Sequence, residues 1–190
     1  MTIETFAPTF ARLLLAAVCL ASSVSCGGEL LRTGRAPVYL IIDNLLASGQ
    51  AALRSDVVDA AGVAVDDFGT ALVRAELKNP SIAATPINGV TLTRYRVGYR
   101  RTDGRNTPGV DVPFGFDGAL NVTLSPGAAS SAVFQLVRQQ GKLEPPLRNL
   151  RGGGGLVIIS TIADVTFFGR DQNGNEVTVA GNIDVQFGDF

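Results

Sequence analysis

The feature that most limits how this chain can fold is the alternation of apolar and polar residues with a period of two. In residues 70–78 small and branched apolar side chains alternate with Arg74, Glu76 and Lys78, and residues 176–187 repeat the pattern over a longer stretch. Successive side chains of a β-strand point to opposite faces, so this period produces one apolar and one polar face. Both segments are therefore predicted to be strands that cover a core on one side.

Turn residues separate several further segments of this kind. The Asn173-Gly174 pair lies between the last two segments and favours a tight hairpin between them. Many short strands separated by turns are typical of a two-sheet sandwich. We therefore predict an all-β, two-sheet immunoglobulin-like sandwich of about seven strands, at residues 38–46, 70–78, 91–101, 114–124, 132–137, 156–168 and 176–187.

Two segments are harder to place. Residues 38–46 are apolar on both faces, which predicts a strand in the middle of a sheet. In residues 48–61, Leu53, Val57 and Ala61 have helical spacing, while the neighbouring valines suit a strand. A short helix within 48–61 therefore stays open. The run Gly152–Gly155 is interpreted as a loop within one domain, not as a boundary between domains.

Composition argues against most enzyme classes. The sequence contains no histidine, which is the commonest general base, the usual partner of a nucleophilic serine and the commonest zinc ligand. We therefore predict that the protein is not an enzyme. A Ser–Lys pair using Lys78 or Lys142 stays open, as does hydrolysis by Asp and Glu alone. The formal net charge of −1 gives no general attraction to nucleic acid, and none is expected as a partner.

The first 25 residues have the three parts of a secretory signal. A polar start ends at Arg12, an apolar run follows in residues 13–21, and small residues lead to Cys26. The apolar run is far shorter than the roughly 20 residues that cross a bilayer. Residues 1–25 are therefore predicted to be a signal peptide, residues 26–36 a flexible tether, and residues 37–190 one β-sandwich domain.

The end of this segment resembles the bacterial lipoprotein export signal, in which a cysteine after a small-residue box is diacylated and becomes the new N-terminus. Val24 and Ser25 match the box, whereas Ser23 stands where that family prefers leucine. The resemblance implies a lipid on Cys26 that holds the protein at a membrane, and Gly27 implies the outer membrane. The alternative is ordinary cleavage after residues 23–25, which would leave a soluble periplasmic or secreted protein with a free thiol.

The long loop at residues 102–113 is a candidate calcium site. Asp103, Asn106 and Asp111, together with Asp117, carry the oxygen ligands that calcium prefers. The alternative is that Asp, Asn, Gly and Pro simply build turns there. Calcium at this loop is the only cofactor that the sequence suggests.

Arginines lead into the same loop. Arg94, Arg96 and Arg100 alternate along one predicted strand, and Arg101 and Arg105 follow. The stripe is a candidate site for an anionic ligand such as a polysaccharide or a lipid head group. The alternative is a solvated strand face whose arginines pair with Glu76 and other acids on neighbouring strands.

The leading functional hypothesis is an envelope-anchored, non-catalytic β-sandwich protein with a structural or binding role. Its partner would be an envelope protein or a glycan. One alternative is a calcium-dependent carbohydrate-binding or adhesion module that uses the loop around Asp103 and Asp117. The other alternative is a hydrolase that works through Asp and Glu.

Overall fold

The computed structural model describes residues 34–190, so the predicted signal peptide, Cys26 and most of the predicted tether lie outside the described residues. No helix in residues 34–190 has the length and apolarity to cross a membrane. The helical pieces are short: helix α1 (Gln139–Lys142) and the 3₁₀ turns Pro86–Asn88 and Leu147–Leu150. The strands are β1 (Val38–Ala47), β2 (Ala52–Asp56), β3 (Asp67–Leu77), β4 (Val90–Arg100), β5 (Phe116–Leu124), β6 (Ala129–Val137), β7 (Ile159–Asp171) and β8 (Glu176–Gly188).

The strands form two sheets. The three-stranded sheet has the order β1-β3-β6, and all its neighbours are antiparallel. The five-stranded sheet has the order β2-β8-β7-β4-β5, in which only β2 runs parallel to its neighbour. The predicted all-β, two-sheet immunoglobulin-like sandwich is confirmed, with eight strands in residues 34–190 where about seven were expected. The predicted hairpin is also confirmed, because residues 172–175 join β7 to β8.

The short helix that stayed open within residues 48–61 is absent, and β2 occupies part of that segment. A two-residue turn at Ser48 and Gly49 connects β1 to β2, and both residues have positive φ, at 48° and 78°. Ala47 and Gln50 exchange two backbone hydrogen bonds of 2.8 Å across this turn. The turn moves the chain from one sheet to the other, and the helical spacing was therefore misleading.

The prediction that residues 38–46 lie in the middle of a sheet is wrong. β1 is an edge strand, and β3 is the middle strand of the three-stranded sheet. Val38 faces the core, whereas Tyr39 on the opposite face is 46% exposed. Apolar residues on both faces of β1 thus reflect one buried face and one apolar face that remains in solvent.

Aromatic rings fill the space between the sheets. The Phe134 ring lies edge-on to Tyr95 at 5.5 Å and to Phe167 at 5.3 Å between ring centroids, and both partners belong to the opposite sheet. Phe134 packs over its cross-strand neighbour Gly69, and Tyr95 packs over its neighbour Gly118. Because these glycines have no side chain, each ring can lie flat against the backbone of the next strand.

Two tyrosine hydroxyls link the sheets by hydrogen bonds. Tyr99 of the five-stranded sheet donates to the Leu136 carbonyl at 2.6 Å, and the Gln135 amide donates to the Tyr95 hydroxyl at 3.1 Å. Burial raises the pKa of both tyrosines. Both hydroxyls therefore remain protonated at neutral pH and hold β6 against β4.

The two ends of the sandwich differ. Val38 pairs with Leu77 at the end where the described domain begins, and Ala36 is already buried there. At the opposite end Ile159 pairs with Phe187. Since β8 rises about 3.3 Å per residue, the ends lie roughly 40 Å apart. We call the second end the loop end; it consists of residues 57–66, 101–115, 138–158 and 189–190 with the strand ends that carry them.

We predict that Gly69→Ala destabilises the protein by about 1–3 kcal/mol, because a Cβ there would overlap the Phe134 ring and would displace it from the core. Gly98→Ala is the matched control, since nothing lies within 4 Å of its Cβ position. Urea unfolding measures both variants. Equal stability of the two variants would contradict the packing described above.

Candidate functional site

A buried ion pair lies at the loop end, under helix α1. Lys142 is fully buried, and its Nζ lies 2.8 Å from Asp67 Oδ2. An ammonium–carboxylate contact of this length is an ordinary charge-assisted ion pair. Ser55, also fully buried, donates to the same carboxylate oxygen at 2.6 Å. The group therefore joins α1 to β3 of one sheet and to β2 of the other.

This group has the residue types of a Ser–Lys pair but not the arrangement that catalysis needs. The Ser55 hydroxyl donates to Asp67, and neither Ser55 nor Lys142 has a surface that a substrate can reach. A nucleophile must contact its base and its substrate. The geometry therefore suits a structural role in which the lysine charge is neutralised inside the sandwich.

The predicted calcium ligands of the long loop are engaged by other parts of the protein. The Asp103 carboxylate contacts Arg101 Nη2 at 2.6 Å and Arg105 Nε at 3.2 Å. Hydrogen bonds from Arg101, and then from the Arg105 amide, lower the pKa of Asp103 well below its usual range. Asn106 Oδ1 accepts from the Arg101 amide at 2.6 Å. These contacts are those of a compact turn with a paired carboxylate.

The other two predicted calcium ligands lie apart from that turn. Asp111 accepts a hydrogen bond of 3.2 Å from the Thr107 amide, within its own turn. Asp117 lies on β5 and pairs with Arg96 through two hydrogen bonds of 2.8 and 3.0 Å. Residues 34–190 contain no group of three or more His, Cys, Asp or Glu residues that could hold a metal ion. The geometry supports the turn interpretation over a calcium site.

The arginine stripe lies on the outer face of the five-stranded sheet, with an acid beside each member. Arg96 forms the two-bond pair with Asp117, and Arg100 Nε lies 2.8 Å from Asp164. Arg94 stacks on the Phe168 ring at 4.0 Å and lies 3.6 Å from Asp117. Two acids on neighbouring strands thus face the three arginines, and Arg94 and Arg96 share Asp117. This arrangement favours a solvated face over an anion site.

The acids that pair with the stripe do not include the predicted Glu76. Glu76 lies on β3, in the other sheet, and it pairs with Arg74, which also contacts Asp43 at 2.8 Å. The acids that neutralise the stripe are Asp117 and Asp164, on the two strands that flank β4. These two acids could be identified only from the order of the strands in the sheet, which the local sequence pattern does not contain.

Two concave surfaces lie near these groups. A depression of about 80 Å³ between Phe114 and Glu144 is much smaller than the roughly 300–1,000 Å³ of ordinary ligand sites. A wider open cleft lies beside the β1–β2 turn and includes Arg54 and Asp67. The Arg54 guanidinium stacks on Phe190 at 4.1 Å, and Asp67 is bound to Lys142. Both of these charged groups in the cleft are therefore already paired with other residues of the chain.

The feature that sequence reasoning missed is the number of apolar side chains exposed at the loop end. Large hydrophobic side chains there are between 40% and 92% exposed: Val63, Val65, Phe68, Val110, Phe114, Leu143, Leu156, Val157, Ile158 and Phe190. Other exposed hydrophobics of the described chain lie on the outer face of the three-stranded sheet (Tyr39, Leu72, Val133) or at the opposite end (Ile82, Ile87). A concentration of this kind usually marks a binding surface.

The most exposed of these residues, Leu156, directly follows the glycine run. Residues 156–158, which we call the apolar finger, were predicted to begin a strand, but β7 begins only at Ile159. Leu156 is 92% exposed, Val157 57% and Ile158 45%. Asp189 Oδ2 accepts hydrogen bonds from the Gly152 and Gly154 amides, at 2.7 and 3.4 Å. The glycine run was the available signal, because it separates the finger from the preceding core residues.

Comparisons with known proteins add no family. No protein-family model matches the chain, and no curated protein matches it.

We predict that Arg96→Gln raises the pKa of Asp117 towards the ordinary value of roughly 3.9, because the guanidinium that lowers it is removed. In the wild type this pair stabilises the fold above the unfolded pKa, and the contribution is lost as pH falls through the lowered folded pKa. Carboxyl NMR titration measures the change. Arg105→Gln, which removes an arginine from Asp103, is the control, and an unchanged Asp117 pKa in Arg96→Gln would contradict the pairing.

Proposed function

We propose that the protein is anchored in the cell envelope by a lipid on Cys26 and that its sandwich is a non-catalytic binding module. The loop end is its binding surface. The observation that carries this proposal is the concentration of exposed large hydrophobic side chains on the loops at that end. Burial of apolar surface is the main driving force of protein association, so such loops favour a protein partner.

The positions of the two ends support an anchored binding module. The described domain begins with Ala36 at the end opposite the loops, roughly 40 Å from them along the strands. A lipid on Cys26 would attach the domain through its opposite end. The loop end would then lie far from the point of attachment and stay free to contact another protein.

The contacts of the polar residues support a non-catalytic role. The acids of the long loop accept hydrogen bonds from backbone amides. The arginines of the stripe pair with acids on neighbouring strands. The buried Ser55 and Lys142 are sealed from solvent. We therefore propose binding, rather than hydrolysis by Asp and Glu, as the work of this domain.

We predict that fatty-acid labelling and membrane fractionation find the wild-type chain labelled and membrane-bound, and Cys26→Ala unlabelled and released. The reason is that a thioether-linked lipid requires the Cys26 thiol. Cys19→Ala is the matched control, because this cysteine lies inside the apolar run and should not affect labelling. A wild-type chain that is unlabelled and soluble in the periplasm would exclude the anchor.

The binding surface is tested separately from the anchor. A photo-crosslinking amino acid is placed at position 156 in the anchored chain, and at position 87 as an equally apolar control at the opposite end. We expect a discrete protein adduct from position 156 in intact cells and none from position 87. If neither position yields an adduct, or only position 87 does, the loop end is not the binding surface.

A further inference from the structure

We propose that the partner of the loop end is a second copy of this chain, bound end to end across a two-fold axis. The apolar finger of each copy packs against the loop end of the other. This inference rests on the proposed function, because it names the partner of the same surface. It is argued from the continuity of the surface, its area and its charges.

The loops of this end form one continuous surface. The Gln139 amide donates to Asp66 at 2.6 Å, which joins α1 to the loop of residues 57–66. Phe114 of the long loop and Glu144, just after α1, line the same small depression. The Phe190 amide donates to Asp56 at 3.2 Å. The apolar side chains therefore lie on adjoining segments and not on isolated ones.

The area of the surface fits a dimer. Fully burying a Val, Leu, Ile or Phe side chain removes roughly 60–120 Å² from water, by the usual transfer coefficients. The exposed side chains of the loop end, on average about half exposed, then offer on the order of 500 Å² of apolar surface. One side of a standard interface covers about 800 Å², of which about 65% is apolar in homodimers. The loop end thus provides the apolar part of one such side.

The charges at the loop end favour a second copy over a partner of one charge sign. Arg148 and Arg151 are exposed and form no ion pair within residues 34–190. Asp59 and Glu144 lie on the same end; Asp59 accepts hydrogen bonds from backbone amides, and Glu144 accepts one from Gln140. A surface that carries both signs can be matched by its own copy, and a two-fold axis forms each such pair twice. An anionic lipid surface would match only the arginines.

The finger is held in position to make this contact. Its N-terminal side is fixed by the hydrogen bonds from the glycine run to Asp189. Its C-terminal side continues directly into β7, where Ile159 pairs with Phe187. Because both sides are fixed, little chain entropy is lost when the finger is buried, and preorganisation of this kind strengthens association.

The test is the oligomeric state of the full chain carrying Cys19→Ser and Cys26→Ser, measured by sedimentation velocity across a range of concentrations. We expect a reversible dimer. The variant Leu156→Asp/Val157→Asp should weaken dimerisation by roughly 30-fold or more, as the loss of central apolar contacts does. Ile82→Asp/Ile87→Asp makes the same change at the opposite end and should leave the dimer intact. Thermal melting checks that both variants remain folded.

Each outcome decides the inference. Dimer loss confined to the finger variant supports it. A monomeric parent chain, or a dimer that survives Leu156→Asp/Val157→Asp, overturns it. The adduct from position 156 separates this result from the proposed function: an adduct with a different protein keeps the binding surface and excludes self-association, whereas the absence of any adduct excludes both.

Discussion

The loop end depends on the ion pair between Lys142 and Asp67. Two β-sheets packed face to face leave an opening at each end, and at this end α1 covers it by placing a lysine inside. Removing an ion from water costs several kcal/mol, so the lysine is tolerable only while the carboxylate stays beside it. Asp67 belongs to one sheet and its hydrogen-bond partner Ser55 to the other. The ion pair and the Ser55–Asp67 hydrogen bond therefore link helix α1, at the start of the loop of residues 138–158, to both sheets.

The strands were predictable because each follows from a local pattern. The alternation in residues 176–187 and the Asn173-Gly174 turn gave β8 and its hairpin with β7. The errors concern properties that no local pattern contains. The two apolar faces of β1 predicted a central strand, yet no strand within residues 34–190 covers Tyr39. The finger has the composition of a strand but lies before the first pairing residue of β7.

In the candidate sites, too, the residue types could be predicted from the sequence, whereas their spatial arrangement could not. The sequence predicts ion binding by the acids and arginines, and in the structure these side chains pair with one another. Arg96 and Asp117 meet only because β4 and β5 pair in a particular register. Lys142 and Asp67 are far apart in sequence, and no motif connects them. The polar groups thus pair within the domain, and the exposed apolar loops are the surface that we propose binds a partner.

The most direct test of this account is a double-mutant cycle of Lys142→Met and Asp67→Asn, with unfolding free energies from urea denaturation. Asp67→Asn leaves the fully buried Lys142 ammonium without its carboxylate and should cost about 3–5 kcal/mol. Lys142→Met should cost less, because Asp67 lines the open cleft and keeps its hydrogen bond from Ser55. The double variant should be more stable than the sum of the two losses predicts, by a coupling free energy of about 2–3 kcal/mol. A coupling below about 0.5 kcal/mol would show that the two residues act independently, and the loop end would then be held by something else.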